Sequence, residues 1–286
     1  MYAVIGAAGQ VGQEFAKVVG SGKLHLLTRA QVDVTDPESI ERSLEGVACS
    51  AMINLAAFHD VNRCEADPDT AFRVNALGAA NVARVARRRG CKAVYFSSDY
   101  VFGGDETRTS PYVEIDERAP VNVYGASKAA GEDHVRSTLA DHLIVRSSSL
   151  FGVATSRKGW TFPEMIVRRA QAGQPLRVVN DQYMAPTYTR DLVQSVVSLI
   201  EAGAVGTVHV TNAGGCTWHE LATATLEIAA IDHPIEPVPS TAFPSPARRP
   251  SYSRLVSERL STWHVEPLRD WKIALRAYLT EKGIVP

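Results

Sequence analysis

The chain opens on a short apolar run, Tyr2-Ala3-Val4-Ile5, that passes directly into Gly6-Ala7-Ala8-Gly9-Gln10-Val11-Gly12 and then into a helical pattern over Val11–Val19. Few local patterns restrict a fold so tightly. The first glycine permits a sharp turn off a strand. The second lets backbone N–H groups approach a pyrophosphate, and the third lets the helix pack close to the strand. A helix N-terminus offers unpaired N–H groups and the positive end of a dipole. Gly6, Gly9, Gln10, Val11 and Gly12 therefore read as a dinucleotide cradle, and the bland alternative is a structural turn. The strand before the glycines and the helix after them favour the cradle.

Strand and helix patterns continue to alternate. Brief aliphatic runs at Leu24–Thr28, Ala51–Leu55, Ala93–Ser97 and Leu143–Ser147 lack polar alternation, as strands buried on both faces do. Helices are expected over Pro37–Leu44, Pro68–Arg89 and Tyr124–Leu139. Asp36-Pro37 and Asp67-Pro68 each place a capping side chain before a proline at a helix start. The fold class is α/β, a Rossmann-type doubly wound parallel sheet with right-handed crossovers. After Phe151 the pattern changes to helices at Trp160–Ala172, Thr189–Glu201, Trp218–Ile228 and Pro267–Lys282, with strands at Leu176–Val179, Thr207–Thr211 and Ile235–Val238. This reads as a smaller α+β substrate lobe. The expected division is 1–150 for the NAD(P)-binding domain and 151–286 mainly for the lobe, with about 187–212 returning to the first sheet.

Composition excludes several classes. The 286 residues suffice to bury roughly three quarters of the unfolded surface. With 30 Lys+Arg against 31 Asp+Glu there is no electropositive excess for a nucleic acid, so no nucleic-acid partner is expected. No apolar run approaches the ~18 residues of a membrane span, and the first residues lack the basic region of a signal peptide. The cysteines Cys49, Cys64, Cys91 and Cys216 form no C-x-x-C pair and read as separate thiols in a reducing, cytoplasmic setting.

The candidate chemistry lies near strand ends. The second strand ends at Thr28-Arg29, where NAD-preferring sites usually carry an acidic residue about 20 residues past the glycines. Arg29 would suit a 2′-phosphate, so NADPH is the expected cofactor, with NADH as the alternative. Asp33 and Val34 are placed near the adenine. Tyr124-Gly-Ala-Ser-Lys128 sets a phenol and an ammonium on one helix face. A cation at that distance is expected to lower the tyrosine from its usual ~10 and make it a general acid for a carbonyl. Ser98 ends the fourth strand, where an open α/β sheet binds ligands, with Asp99 and Tyr100 beside it.

Together these residues resemble the extended short-chain dehydrogenase/reductase superfamily, and within it the dTDP-4-dehydrorhamnose reductase family. The resemblance is carried by Gly6-Ala-Ala-Gly-Gln-Val-Gly12, Asn54-Leu-Ala-Ala57, Phe72-Arg-Val-Asn75, Ser97-Ser-Asp-Tyr-Val-Phe102 and Pro120-Val-Asn-Val-Tyr-Gly-Ala-Ser-Lys128. Asn180-Asp-Gln-Tyr-Met-Ala-Pro-Thr187 and Arg249-Pro-Ser-Tyr-Ser-Arg-Leu255 are more particular to the reductase branch. It implies hydride transfer from NAD(P)H to C4 of a nucleotide-linked 4-keto-6-deoxy-hexose. Ser98, Tyr124 and Lys128 would be catalytic, Ser98 also meeting the substrate and Tyr124 and Lys128 the cofactor, with Lys128 on the nicotinamide ribose; Leu55, Ala56 and Ala57 would line the cofactor cleft with Asn75 nearby. Asp99, Tyr100, Ser149, Arg249 and Ser253 would face the nucleotide sugar.

Two positions depart from the family. Where relatives often carry a Trp after the fifth strand, this chain has Ser149. Some relatives bind magnesium at a dimer interface through three glutamates. Glu14 and Glu281 match two of these and Arg190 stands at the third, so no metal is expected; a homodimer is left open. Two rival functions remain: a nucleotide-sugar epimerase or dehydratase, and a non-catalytic cofactor-binding subunit resembling the methionine adenosyltransferase beta subunit. Dehydratases usually follow the Ser/Thr with Asp-Glu, whereas Asp99 is followed here by Tyr100.

Overall fold

The computed structural model describes residues 1–154 and 159–285. Five short strands, β1 (Tyr2–Ile5), β2 (Leu24–Leu27), β3 (Ala51–Asn54), β4 (Lys92–Ser98) and β5 (His142–Ser147), build the sheet together with Gly206–His209. All pairings are parallel, and the order across the sheet is β2-β1-β3-β4-β5 followed by Gly206–His209. One row of the register runs Leu26, Val4, Ile53, Val94, Leu143. The order reverses between β1 and β3, and ligands bind outside the carboxyl ends of strands at such a switch.

Alternate side chains feed two apolar layers. Val4, Ile53, Val94 and Val145 face α1 (Gln10–Val19) and α8 (Thr189–Glu201), meeting Phe15, Leu192, Val196 and Leu199. Ala3, Ile5, Met52 and Ile144 face α2 (Pro37–Ser43) and α5 (Gly78–Arg89), meeting Ile40, Val82, Val85 and Ala86. This double burial is why these strands carry no polar alternation. Asp36 and Asp67 cap their helices as expected, accepting from Glu38 N and Thr70 N.

The expected Pro68–Arg89 helix has a different internal structure. It begins as α4 (Pro68–Phe72), widens to a π-turn over Arg73–Leu77 and resumes as α5. A separate α3 (Val61–Ala66), capped by Asp60, precedes it. The helix α6 (Val123–Thr138) crosses between β4 and β5. Beyond β5, α7 (Phe162–Gln171) and α9 (Trp218–Ile228) pack on a parallel pair formed by Leu176–Val179 and Ile235–Val238. The final helix α10 (Trp271–Glu281) starts later than expected, because Leu268–Asp270 pairs with Asn212–Ala213 as a strand. Among the described residues no helix is long and apolar enough to cross a membrane.

Candidate active site

The phosphate loop has the geometry its glycines imply. Gly6 lies at φ +89°, and a Cβ there would sit 3.1 Å from the Leu55 carbonyl carbon and the Ala56 nitrogen. A Cβ on Gly12 would fall 2.6 Å from Ala7 Cα, so only glycine lets α1 start so close to the turn. Gly9 occupies the N-cap without a side-chain hydrogen bond, and the first turn of α1 holds no acidic residue. Its N–H groups are therefore free of side-chain acceptors, and Gln10 reaches over to the Gly152 carbonyl. A dinucleotide pyrophosphate fits this cradle.

Leu55, Ala56 and Ala57 continue from β3 beside the loop, with Ala56 N held by Asn54 Oδ1 at 3.0 Å. Asn75 is fully buried in the π-turn, and its amide is consumed by protein: it accepts from Phe58 N and donates to Phe58 O and Ser127 Oγ. Rather than facing the cofactor, Asn75 clamps the cleft-lining loop to α6. Val34 is core, packed against Gly78. Asp33 is exposed, and hydrogen bonds from Thr35, with the charges of Arg29 and Arg73, hold its carboxyl below the usual range. Arg29 itself is exposed and has no hydrogen bond or ion pair among the described residues, so its charge is available to an anion.

Tyr124 is the second residue of α6, whose N-cap Asn122 accepts from Gly125 N at 2.8 Å. Two glycines press this helix into place. A Cβ on Gly125 would lie 2.0 Å from the Tyr100 carbonyl oxygen, and one on Gly131 would lie 2.4 Å from the Asn75 carbonyl oxygen and the Tyr95 hydroxyl. The close approach brings the Tyr124 phenol near enough to Ser98 for that hydroxyl to act on its pKa, and into an edge-on contact with Tyr100 at 5.9 Å. Lys128 follows one turn later, buried, with Nζ 4.2 Å from the Tyr95 ring centroid.

Electrostatics here differ from the sequence expectation. Burial pushes Tyr124 above its usual value and the nearby Asp99 adds to this, with the Ser98 hydroxyl acting in the opposite direction. Burial also brings Lys128 down to about 7, while Glu132 works against that. Desolvation thus outweighs the mutual help expected of the pair. Beneath Lys128, the buried Glu132 carboxylate takes Arg146 Nε and Nη2 at 2.8 and 2.7 Å, Ser97 Oγ at 2.6 Å and Arg118 Nη1 at 3.2 Å. Sequence reasoning missed this network. Its signal was available: Glu132 stands four residues beyond Lys128 on one helix face, and Arg146 interrupts the apolar run of β5.

Asp99 is buried beneath Ser98. Its Oδ1 accepts from Ser98 at 2.9 Å, and its Oδ2 accepts from Ser148 at 2.8 Å and Ser253 at 2.6 Å. Asp99 and Ser253 were expected to face the sugar; the structure pairs them with each other, as a support for Ser98. Arg249 lies near Tyr100, where its charge opposes the rise that burial gives the Tyr100 phenol, and Arg249 Nη1 donates to Ser245 Oγ. Ser149 is half-buried at φ +47°, an uncommon conformation for a residue with a Cβ.

Comparison with known proteins identifies the family. The family model described as "RmlD substrate binding domain" matches residues 2–283. The chain belongs to the RmlD family. The spore coat polysaccharide biosynthesis protein SpsK of Bacillus subtilis is 36% identical over 282 residues, covering 98% of this chain and 97% of that protein. The dTDP-4-keto-6-deoxy-D-glucose reductase of Streptomyces niveus is 35% identical, covering 95% and 94%. The crystal structure of dTDP-4-dehydrorhamnose reductase from Bacillus anthracis in complex with NADP superposes with a TM-score of 0.92 at 32% identity, covering 98% of each chain.

At the positions where the resemblance suggested a magnesium site in some relatives, the structure holds an ion-pair cluster. Arg190 bridges the two remaining acids, with Nε 3.1 Å from Glu14 Oε1 and Nη2 on Glu281 Oε1, while Tyr188 donates to Glu281 Oε2. The guanidinium stands between the carboxylates, and no group of three His, Cys, Asp or Glu side chains suited to a metal occurs among the described residues. These residues do not fit a divalent cation.

Proposed function

We propose that this RmlD-family chain is an NADPH-dependent reductase of the C4 keto group of a nucleotide-linked 4-keto-6-deoxy-hexose. The observation that carries the reading is the gathering of Ser98, Tyr124 and Lys128, the last one turn beyond Tyr124 on α6, at strand ends beside an open phosphate loop. The likeness to 4-keto reductases along almost the whole chain supports it.

Bound along the Gly6–Gly12 loop, NADPH supplies a hydride to the sugar carbon. This chain's residues handle the proton. Tyr124 enters protonated, because burial raises it, and gives its proton to the C4 oxygen as the alcohol forms. Ser98 has one hydrogen and two acceptors, Asp99 Oδ1 and the substrate carbonyl. Ser148 and Ser253 keep Asp99 bonded while Ser98 turns to the carbonyl. The Lys128 ammonium, favoured by Glu132, stabilises the phenolate left behind. Arg29 reads the 2′-phosphate, and Arg249 with Tyr100 holds the nucleotide sugar. The small Ser149 leaves room beside the sugar ring, which bears on which epimer forms.

The experiment is NADPH consumption with dTDP-4-keto-6-deoxy-hexoses, compared with the same sugars on other nucleotide carriers. Turnover with one carrier supports the reading. No consumption with any 4-keto sugar overturns it, and co-purification with a synthetase subunit would then favour the regulatory alternative.

A further inference from the structure

Cys49 and Cys91 are far apart in sequence but adjacent in the fold. Cys49 lies in the loop between α2 and β3. Cys91 follows α5, whose end is fixed by Gly90 at φ +66° and by the hydrogen bond from Cys91 N to Ala86 O at 2.9 Å. Lys92 N donates to Ser50 O at 3.0 Å, and Ala51 then pairs with Lys92 as β3 and β4 begin side by side. This pinned backbone sets the two Sγ atoms 3.0 Å apart, and Cys91 Sγ also lies 2.8 Å from the Cys49 carbonyl oxygen. A disulfide requires ~2.04 Å, so a small side-chain rotation closes the gap. Neighbouring strands lie ~4.8 Å apart, within the Cα range that a disulfide spans.

We propose that Cys49 and Cys91 form a redox-active dithiol that closes to a disulfide staple when it meets a small oxidised disulfide such as glutathione disulfide. Exposure sets the order of events. Cys49 is half-buried and reachable, whereas Cys91 is 3% exposed. The Cys49 thiolate attacks one sulfur of glutathione disulfide and releases one glutathione. Cys91 then gives up its proton and attacks Cys49 Sγ, releasing the second. Two protein thiols lose two electrons and two protons, and the disulfide becomes two molecules of glutathione. Burial and the neighbouring Cys49 push the Cys91 thiol up to about 12, so the second step is the slower one. The guanidinium of Arg89 beside the pair favours the thiolate and an anionic disulfide. The other two cysteines have no sulfur partner among the described residues; Cys64 donates to the Phe58 carbonyl.

The staple sits just before the N-terminal ends of β3 and β4, while Ala56 follows the carboxyl end of β3 and Ser98 ends β4. Closing it constrains a 42-residue separation in the unfolded chain and leaves the catalytic edge in place. The full chain is incubated with glutathione disulfide, denatured, alkylated and mapped by mass spectrometry without reduction. The expected result is loss of two of the four thiols, a Cys49–Cys91 cross-linked peptide and a thermal midpoint higher by about 5 °C or more, all reversed by dithiothreitol. Cys91→Ser should instead hold Cys49 as a persistent glutathione adduct, and Cys49→Ser should leave Cys91 reduced. The proposal is overturned if all four thiols still alkylate, or if the wild-type chain stops at the Cys49 adduct with Cys91 free.

Discussion

Gly125→Ala tests whether the close seating of α6 is what makes the site. The added Cβ would lie 2.0 Å from the Tyr100 carbonyl oxygen, where real Cβ atoms essentially never come nearer than 3.0 Å. Either α6 or the Tyr100 turn must therefore retreat by about 1 Å, because the blocking atom is backbone and cannot rotate away. That movement acts on both sides of the site, since Tyr100 follows Ser98 and Asp99 in the chain and Gly125 follows Tyr124. A misplacement of ~1 Å lowers rate by about 10²-fold, equivalent to about 2.7 kcal/mol of transition-state stabilisation. Overpacking lowers stability by about 1–3 kcal/mol, and each kcal/mol shifts the melting midpoint by roughly 2–4 °C in a chain of this size. The assay is kcat for the 4-keto sugar together with the NADPH Kd and the melting curve. The atoms nearest a Gly125 Cβ belong to Tyr100 and Pro120 and not to the phosphate loop, so cofactor affinity should be retained. Gly22→Ala is the control, since a Cβ there meets nothing within 4 Å. Wild-type kcat and midpoint in Gly125→Ala would refute the reasoning.

Further outcomes follow from other parts of the site. Tyr124→Phe should bind NADPH normally and lose about 10²–10⁴-fold in kcat; unchanged turnover removes Tyr124 from the acid role. Arg29→Asp should weaken NADPH binding relative to NADH by titration, and an unchanged ratio would show that Arg29 does not read the phosphate. Arg190→Glu would place three carboxylates together around the buried Glu14, lowering stability by roughly 2–4 kcal/mol; added Mg²⁺ should raise the variant's melting midpoint and leave the wild type unmoved. Lys128 has a folded value of about 7 against 10.5 unfolded, so the unfolded chain binds this proton more tightly and stability from this group increases as pH rises from about 7. Cys91, raised from 9.0, opposes the gain above about pH 9. Denaturant unfolding at pH 7 and 9 should show a rise that Lys128→Met abolishes; an equal rise in both proteins contradicts the burial of this charge.

The sheet was legible because its strands are buried on both faces and its loops carry strong punctuation. The runs at Val4, Ile53, Val94 and Leu143 read as doubly buried parallel strands, and Asp36-Pro37 and Asp67-Pro68 marked helix starts that the structure contains. The π-turn at Arg73–Leu77 was not legible, because helical periodicity continues through it and only the tertiary bonds of Asn75 reveal it. The cluster of Ser98, Tyr124 and Lys128 followed from strand ends and helix spacing. The roles of Asp99 and Ser253 did not, since 154 residues separate them and their hydrogen bond exists only in the folded chain. Cys49 and Cys91 were missed for the same reason: spacing rules see local pairs, and this pair meets just ahead of two neighbouring strands.

The most direct test of the central claim follows the hydride. NADPH deuterated at nicotinamide C4 is incubated with the chain and a dTDP-4-keto-6-deoxy-hexose, and the sugar product is examined by NMR and mass spectrometry. The account predicts one deuterium at sugar C4 on a new secondary alcohol, formed in step with NADP⁺. NADPH left unoxidised, or a product whose deuterium is absent from C4, would contradict it.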